Sequence, residues 1–320
     1  MFSIQEKSEA GFEKIILKND ITGNYASIIP ACGAILNEFV VTQNGQPINV
    51  VDSYSSYEEF KTHVEEKGFK GCKLSPFVCR LNKASYIFGE KEYTIKKYIA
   101  AGHALHGLLY DRPYIVLSQN ANELESSVTM KYEYRSEDPG YPFGYDCIVT
   151  WQLEAENKLT VTTECINKDE GLIPMQDGWH PYFTLGGSIN DLQLEFQAKN
   201  MIEFNEELIP TKNTVNYTKF SSIEKIGDTF LDNCFTLDLQ ECQPLCVLRN
   251  SEKNIEVQLL PDESYPYLQI YTPPHRKSIA IENLSGTPDA FNNGMGVITL
   301  ESGQSALYKT SYKILLLEKI

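Results

Sequence analysis

Residues 146–167 read DCIVTWQLEAENKLTVTTECIN, two alternating runs separated by the polar turn sequence EAENK. The apolar members recur at every second position: Cys147, Val149, Trp151 and Leu153 in the first run, then Leu159, Val161 and Thr163 in the second. Successive side chains of a β-strand point to opposite faces, so a period of two indicates strands that are buried on one side. The stretch therefore predicts a β-hairpin.

The same period of two extends outward along the chain. Residues 127–136, SVTMKYEYRS, place Val128, Met130, Tyr132 and Tyr134 on one face. The chain also has 19 tyrosines and 15 phenylalanines, residue types that favour β-sheets. No low-complexity linker divides the sequence into separate domains. We expect an all-β fold, a large antiparallel β-sandwich with few short helices, formed as a single domain over residues 1–320.

One helix is predicted in the first fifth of the chain, within SSYEEFKTHVEEKG at residues 55–68. Ser56 followed by Glu59 matches a capping box, in which each side chain satisfies a free backbone N–H at the helix start. Gly68 is a typical stop signal.

Composition excludes several classes of function. The formal net charge is −15, with 43 acidic against 28 basic residues, which disfavours binding to nucleic acids or to anionic membranes. No apolar run reaches the roughly 18 residues that a membrane span needs, and the first residues do not resemble an export signal. The eight cysteines lack CxxC spacing, so we expect reduced thiols in a cytoplasmic protein.

A small set of polar residues can carry chemistry. His180 lies in DGWHPYFTLGG at residues 177–187, and Glu282 lies in IAIENLSGTPDAFN at residues 279–292. The other candidates are spread along the sequence: Arg80, His106 before Gly107, and Asp232 within TFLDNCF.

The order of these motifs resembles the aldose 1-epimerase, or galactose mutarotase-like, family from about residue 10 to the end. HPYFTL is similar to the family's HxYFNL, and IAIEN with PDAFN is similar to its glutamate segment and the Pro-Asp motif that follows. The resemblance implies a sandwich fold and an enzyme that interconverts the α and β anomers of a free hexose without a cofactor or metal. It implies that His180 is the general acid at the ring oxygen and Glu282 the general base at O1.

The same resemblance implies that Arg80, His106 and Asp232 bind the monosaccharide substrate. Three aromatic residues near the motif could cover the sugar ring or belong to the core: Trp179, Tyr182 and Phe183. The chain departs from the family pattern at Cys79 and Thr184, where asparagine is usual, and at Asn283-Leu284. We expect these departures to lie near the pocket and to affect the choice of substrate.

Other readings of the candidate residues remain open at this point. The sandwich could serve a non-catalytic carbohydrate-binding protein, because a fold does not fix a function. A hexose-phosphate mutarotase would need several cations near the pocket, where the sequence offers only Arg80. A zinc site built on His103, His106 and His180 matches no metal-binding spacing, and a serine hydrolase would need a GxSxG motif that the sequence lacks. The oligomeric state is not predicted.

Overall fold

The computed structural model describes residues 1–317. Strands account for 52% of the residues and helices for 6%, so the prediction of an all-β fold is confirmed. The strands are β1 Phe2–Glu9, β2 Phe12–Asn19, β3 Tyr25–Ile29, β4 Ile35–Gln43, β5 Gln46–Asn49, β6 Cys72–Leu74, β7 Arg80–Leu81, β8 Ser85–Phe88, β9 Lys91–Thr94, β10 Ile99–Ala100, β11 His103–Leu105, β12 Ile115–Ala121, β13 Glu125–Arg135, β14 Gly144–Glu154, β15 Lys158–Asn167, β16 Ile173–Met175, β17 Gly178–His180, β18 Tyr182–Phe183, β19 Gln193–Phe196, β20 Ala198–Phe204, β21 Pro210–Val215, β22 Glu224–Lys225, β23 Asp232–Leu237, β24 Cys246–Asn250, β25 Ile255–Pro261, β26 Tyr267–Tyr271, β27 Ile279–Leu284, β28 Ile298–Leu300 and β29 Ser305–Leu316. The α-helices are α1 Tyr57–His63 and α2 Ala290–Asn293, and short 3-10 turns span Asn82–Ala84, Ala155–Asn157 and Ile189–Asp191.

The predicted hairpin is confirmed as β14 and β15. Cys147 lies opposite Cys165 and Trp151 lies opposite Val161, and the turn between the strands falls at Ala155–Asn157. Burial alternates along β14 as the sequence predicts, with Trp151 and Leu153 buried. This hairpin lies in a nine-stranded sheet whose order is β12-β13-β14-β15-β29-β25-β24-β19-β22.

A second large sheet packs against the first and holds most of the candidate site. Its order is β21-β20-β23-β26-β27-β17-β6, and β18 pairs with β27 beside this path. Aromatic pairs span the two sheets, with ring centroids 5.2 Å apart for Trp151 and Trp179 and 5.5 Å apart for Phe183 and Tyr312. Such pairs contribute roughly 0.5–1.5 kcal/mol each beyond the area they bury. The predicted β-sandwich is therefore present.

The N-terminal part adds a five-stranded sheet, β1 to β5, and the predicted helix. Helix α1 begins after Ser56, whose side chain accepts a hydrogen bond from the Glu59 backbone N–H at 3.1 Å. The Glu59 carboxylate accepts from the backbone of Ser55 rather than of Ser56, so the capping box is shifted by one residue. The helix ends at His63, earlier than the glycine signal at Gly68 suggests.

No helix among the described residues is long and apolar enough to cross a membrane. The interpretation of residues 1–320 as one domain stays a prediction.

Candidate active site

A cavity of about 270 Å³ opens over the second large sheet, and all five candidate residues line it. Its lining is Gly68, Phe69, Cys79, Arg80, Tyr98, Ala100, Leu105, His106, His180, Tyr182, Asp232, Gln269, Tyr271 and Glu282. The volume is near the lower end of the range for small-molecule sites, about 300–1,000 Å³. Residues that are up to about 200 positions apart in sequence thus meet in one space suited to a small ligand.

His180 and Glu282 come together because neighbouring strands carry them. His180 ends β17, and Glu282 lies within β27, which pairs with β17 through Gly178 and Leu284. The His180 Nε2 atom lies 3.4 Å from the Glu282 Oε1 atom, and both side chains are buried. The two groups can therefore share a proton and act on neighbouring atoms of one ligand.

Aromatic rings hold the His180 imidazole in place. It stacks on Tyr182 with ring centroids 5.1 Å apart and 7° between the planes, and His106 meets it edge-on at 4.9 Å. Among the described residues, no hydrogen-bond partner contacts His180 Nδ1. Burial lowers the pKa of His180 to about 4, because the cationic form loses its hydration. The imidazole of the free protein is therefore neutral at pH 7.

The carboxyl group of Glu282 is shifted in the opposite direction. Burial, assisted by the nearby Asp232 carboxylate, raises the pKa of Glu282 well above its ordinary value. The Cys79 thiol lies 3.8 Å from Glu282 Oε2 and donates a weak hydrogen bond to it. A neutral imidazole beside a carboxyl group with a raised pKa gives the pair one proton over a wide pH range.

A tight turn positions His106. Its backbone lies in the left-handed region with φ of 59°, its N–H donates to the Cys79 carbonyl at 2.9 Å, and Gly107 follows with φ of 73°. The next N–H, of Leu108, donates to the Ser75 carbonyl at 2.6 Å. Burial, with His180 and Arg80 nearby, lowers the pKa of His106 well below its ordinary value, so this ring too is neutral.

Replacing Gly107 by alanine is expected to destabilise the protein by roughly 3 kcal/mol or more. A Cβ atom at this position would overlap the Ser75 carbonyl and come 2.6 Å from the Ser75 nitrogen, and neither backbone atom can move freely. Left-handed strain costs an L-residue about 1–2 kcal/mol, and overpacking adds about 1–3 kcal/mol. Urea denaturation of both proteins measures the difference.

Gly89→Ala is the matched control. Gly89 has a similar φ of 63°, but a Cβ there would meet no atom within 4 Å. We expect this variant to lose only the backbone strain, about 1–2 kcal/mol. Equal destabilisation by the two substitutions would show that the close approach to Ser75 contributes nothing.

Arg80 and Asp232 face the cavity from two sides. Arg80 begins β7, and its charge lowers the pKa of Asp232, although burial raises that pKa overall. The Gln269 amide donates to Asp232 Oδ1 at 2.9 Å. A guanidinium and a carboxylate can together donate to and accept from neighbouring hydroxyl groups.

Several lining residues escape the sequence-based selection, namely Phe69, Tyr98, Gln269 and Tyr271. The sequence does carry a signal for the last two, which lie two positions apart in the strand sequence YLQIYT. Gln269 lies opposite Glu282 and Tyr271 lies opposite Asp232 in the sheet register. Pairing of this strand with the two site strands would have identified both residues.

Other residues of the sequence motifs lie outside the cavity. His103 accepts a hydrogen bond from the Lys83 backbone at 3.2 Å. Trp179 and Phe183 belong to the core, whereas Tyr182 lines the cavity. Of the departures from the family pattern, Cys79 alone lines the cavity. Thr184 donates to the Lys277 carbonyl, Asn283 accepts from Thr310, and Leu284 is buried in an apolar cluster that also contains Cys79. Their effect on the choice of substrate stays a prediction.

A buried ion pair behind the cavity fixes the strand that carries His180. Lys73 of β6 contacts Asp177, and the Tyr265 hydroxyl donates to the same carboxylate at 2.6 Å. Lys73 also donates to the Gly178 carbonyl at 3.1 Å and lies 4.5 Å from the centre of the Trp179 ring. These contacts connect β6 to the start of β17, and removing one partner of a buried pair typically costs about 3–5 kcal/mol because it leaves an uncompensated buried charge.

The geometry defines a class of protein: an all-β sandwich with a polar cavity in which an imidazole and a carboxyl group form an acid–base pair surrounded by hydroxyl-binding groups. Among residues 1–317, no group of three or more His, Cys, Asp or Glu side chains is arranged to hold a metal ion.

A sequence profile described as aldose 1-epimerase matches residues 13–313, and the chain belongs to this family. It is 26% identical to the uncharacterized protein YihR of Escherichia coli K12 over 293 aligned residues, and this alignment covers 88% of each chain. The chain shares its fold with solved structures, of which two are given as examples. A galactose mutarotase-like protein from Clostridium acetobutylicum has a TM-score of 0.88 at 16% identity, and galactose 1-epimerase from Lactobacillus acidophilus has 0.81 at 17%, each covering 99% of both chains.

Proposed function

We propose that this protein is a mutarotase that interconverts the α and β anomers of a free hexose. The observation that carries the proposal is the pair of His180 and Glu282, 3.4 Å apart at the base of a cavity sized for one small ligand. Membership of the aldose 1-epimerase family supports the same reaction class.

The reaction opens the hemiacetal ring and closes it on the other face of the aldehyde. In opening, Glu282 takes the proton of the C1 hydroxyl while His180 gives a proton to the ring oxygen, and the bond between C1 and that oxygen breaks. Rotation about the C1–C2 bond presents the other face. In closing, Glu282 returns a proton to O1 and His180 takes one from the attacking hydroxyl.

One shared proton serves both directions. When His180 carries the proton, the pair is set to open the ring, and when Glu282 carries it, the pair is set to close the ring. The lowered pKa of His180 and the raised pKa of Glu282 place the proton on Glu282 in the free protein. Opening the ring of a bound cyclic sugar then requires transfer of this proton to His180, whose Nε2 atom lies 3.4 Å from Glu282 Oε1.

We expect kcat/KM to show a broad pH plateau. On the acid side, activity falls near pH 4, the pKa of His180. Below this pH, His180 and Glu282 are both protonated, and neither can accept a proton. On the alkaline side, it falls at the raised pKa of Glu282, where the pair loses its only proton. Initial rates between pH 3.5 and 10, with the uncatalysed rate subtracted at each pH, measure the profile. A plateau confined to the ordinary pKa values of glutamate and histidine, about 4.3 and 6.5, would contradict this account.

Asp232→Asn tests the cause of the alkaline limit. The Asp232 charge contributes to the raised pKa of Glu282, so its removal should move the alkaline limb to lower pH. A purely structural effect would lower the rate at all pH values without moving that limb.

The cavity favours an unphosphorylated aldose. Arg80 is the one cationic side chain in its lining within the described chain, and Asp232 offsets it. A phosphoryl group carries about −1.5 to −2 charge at pH 7 and would lack a second cation. A hexose phosphate is therefore the less favoured substrate. The alternative of a carbohydrate-binding protein without activity is less favoured for another reason, because such a protein would not need the paired His180 and Glu282.

Polarimetry tests the proposal. Freshly dissolved α-D-glucose and, separately, α-D-galactose are followed with and without the protein, and we expect the approach to the equilibrium rotation to be accelerated for one or both. An unchanged rate with both sugars, and with their 6-phosphates, would support the binding protein instead.

We also propose a cytoplasmic location and a free monosaccharide as the partner. All eight cysteines are free thiols and seven are buried, which suits a reducing compartment. The exclusion of nucleic acid and membrane partners stays a prediction based on the net charge.

A further inference from the structure

Cys79 lies where the cavity meets the apolar cluster beneath it. The residue lines the cavity, is 6% exposed, and belongs to the same cluster as Val78, Cys234 and Leu284. The proposed mechanism gives its side chain no role.

The Cys79 backbone is held in place by its neighbours. Its carbonyl accepts from the His106 N–H at 2.9 Å, and the next residue, Arg80, pairs with Leu105 of β11. Its φ of 48° lies in the left-handed region, which glycine, asparagine and aspartate adopt more readily than other residues do. The backbone therefore gives no reason for a cysteine here, so the reason lies in what the sulfur contacts.

The thiol and the His180 imidazole contact different oxygens of Glu282. Cys79 Sγ lies 3.8 Å from Oε2, and His180 Nε2 lies 3.4 Å from Oε1. The terminal torsion of a glutamate is broad, so the carboxyl group takes one orientation only where contacts fix it. We propose that Cys79 is a positioning residue, whose thiol holds Glu282 Oε2 and thereby directs Oε1 to His180. The proposal rests on the catalytic role proposed for Glu282.

A thiol suits this task because it is a weak donor. A hydrogen bond to a carboxylate favours the charged form, so a strong donor here would make Glu282 a weaker base. Burial raises the pKa of Glu282 more than the Cys79 contact lowers it, and that pKa stays well above its ordinary value. The thiol thus orients the carboxyl group and leaves it a strong base.

Other titratable groups surround Glu282 and stay in place when only residue 79 changes. They are Arg80 of β7, His106 after β11, His180 of β17, Tyr182 of β18, Asp232 and Cys234 of β23, and Tyr271 of β26. A shift that follows substitution of Cys79 therefore reports the loss or replacement of its thiol.

Carbon-13 NMR of the Glu282 carboxyl group, assigned by its absence in Glu282→Gln, measures the pKa of Glu282 without relying on activity. Cys79→Ala removes the donor, so we expect this pKa to rise above that of wild type. Cys79→Asn introduces an amide donor that reaches farther than a thiol, so we expect the pKa to fall below that of wild type. The alkaline limb of the mutarotation profile should move in the same two directions. Cys79→Ala should also lower kcat roughly two- to tenfold with KM little changed, the effect of one lost weak hydrogen bond.

Cys234→Ala is the matched control. Cys234 belongs to the same apolar cluster and lies near Glu282, but the thiol that donates to the carboxyl group is that of Cys79. We expect the control to leave the pKa of Glu282 and the alkaline limb unchanged.

An unchanged pKa of Glu282 in both Cys79 variants would overturn the proposal. A change confined to KM would also overturn it, because the thiol would then be a substrate contact. If Cys79→Ala does not fold, Cys79→Asn decides alone, since asparagine suits the left-handed backbone. Wild-type protein without mutarotation would contradict the proposed function, whereas opposite movements of the Glu282 pKa would still support the positioning contact.

Discussion

Glu282→Gln is expected to lower kcat/KM for mutarotation by at least about 10²-fold, and by up to about 10⁴-fold, the range typical of a general acid–base group. Glutamine keeps the size of the side chain and a hydrogen-bonding oxygen but cannot take the proton of the C1 hydroxyl. The side chain at position 282 can then no longer exchange a proton with His180, whose Nε2 atom lies 3.4 Å from Glu282 Oε1 in the wild-type protein. Initial rates from polarimetry at pH 7 measure the loss.

The stability of the same variant provides the control. The folded-state pKa of Glu282 is raised above its unfolded value, so ionisation favours the unfolded chain once the pH exceeds that unfolded value. The stability that protonated Glu282 retains at low pH is lost as the pH rises through the raised folded pKa. Glutamine does not ionise, so Glu282→Gln should unfold at a higher temperature than wild type at alkaline pH. An inactive variant that is also less stable would indicate a structural defect instead.

His180→Asn is expected to lower kcat/KM by a similar factor, at least about 10²-fold. Asparagine can still donate a hydrogen bond toward the ring oxygen but cannot supply a full proton. The variant also removes the ring that stacks on Tyr182, so a check of the fold by circular dichroism belongs with the rate measurement.

The double variant His180→Asn, Glu282→Gln separates a proton-sharing pair from two independent contributions. Groups that act as a unit give strongly non-additive losses, so the double variant should be within about tenfold of either single variant. A loss in the double variant that equals the product of the two single-variant losses would contradict the shared proton.

Much of the fold can be predicted from the sequence, since period-two alternation and a polar turn suffice for β14 and β15. The same alternation explains why Asn283 does not line the cavity. Asn283 follows Glu282 on one strand, so its side chain points to the opposite face and bonds Thr310 in the core. Thr184 leaves the cavity for another reason, because β18 ends at Phe183 and the chain turns away.

The five candidate residues can be selected from motifs, but their surroundings cannot. Phe69 and Tyr98 reach the cavity from turns whose course depends on tertiary contacts, such as the left-handed backbone of Phe69 with φ of 56°. The side chains of His103 and His106 lie in different surroundings because β11 ends at Leu105 and the chain turns at His106. Alternation along a single strand through both positions does not predict this turn. Burial lowers the pKa of His180 and raises the pKa of Glu282, and this burial arises only in the folded chain.

The most direct test of the proposed reaction is two-dimensional exchange NMR of the anomeric protons of glucose and galactose at equilibrium. This measurement records both directions at once and consumes no substrate. Cross-peaks between the α and β anomers that grow with the concentration of wild-type protein, and that fall to the protein-free rate with Glu282→Gln, are the predicted result. Exchange that is equally fast with wild type and with Glu282→Gln would contradict the assignment of Glu282 as the base.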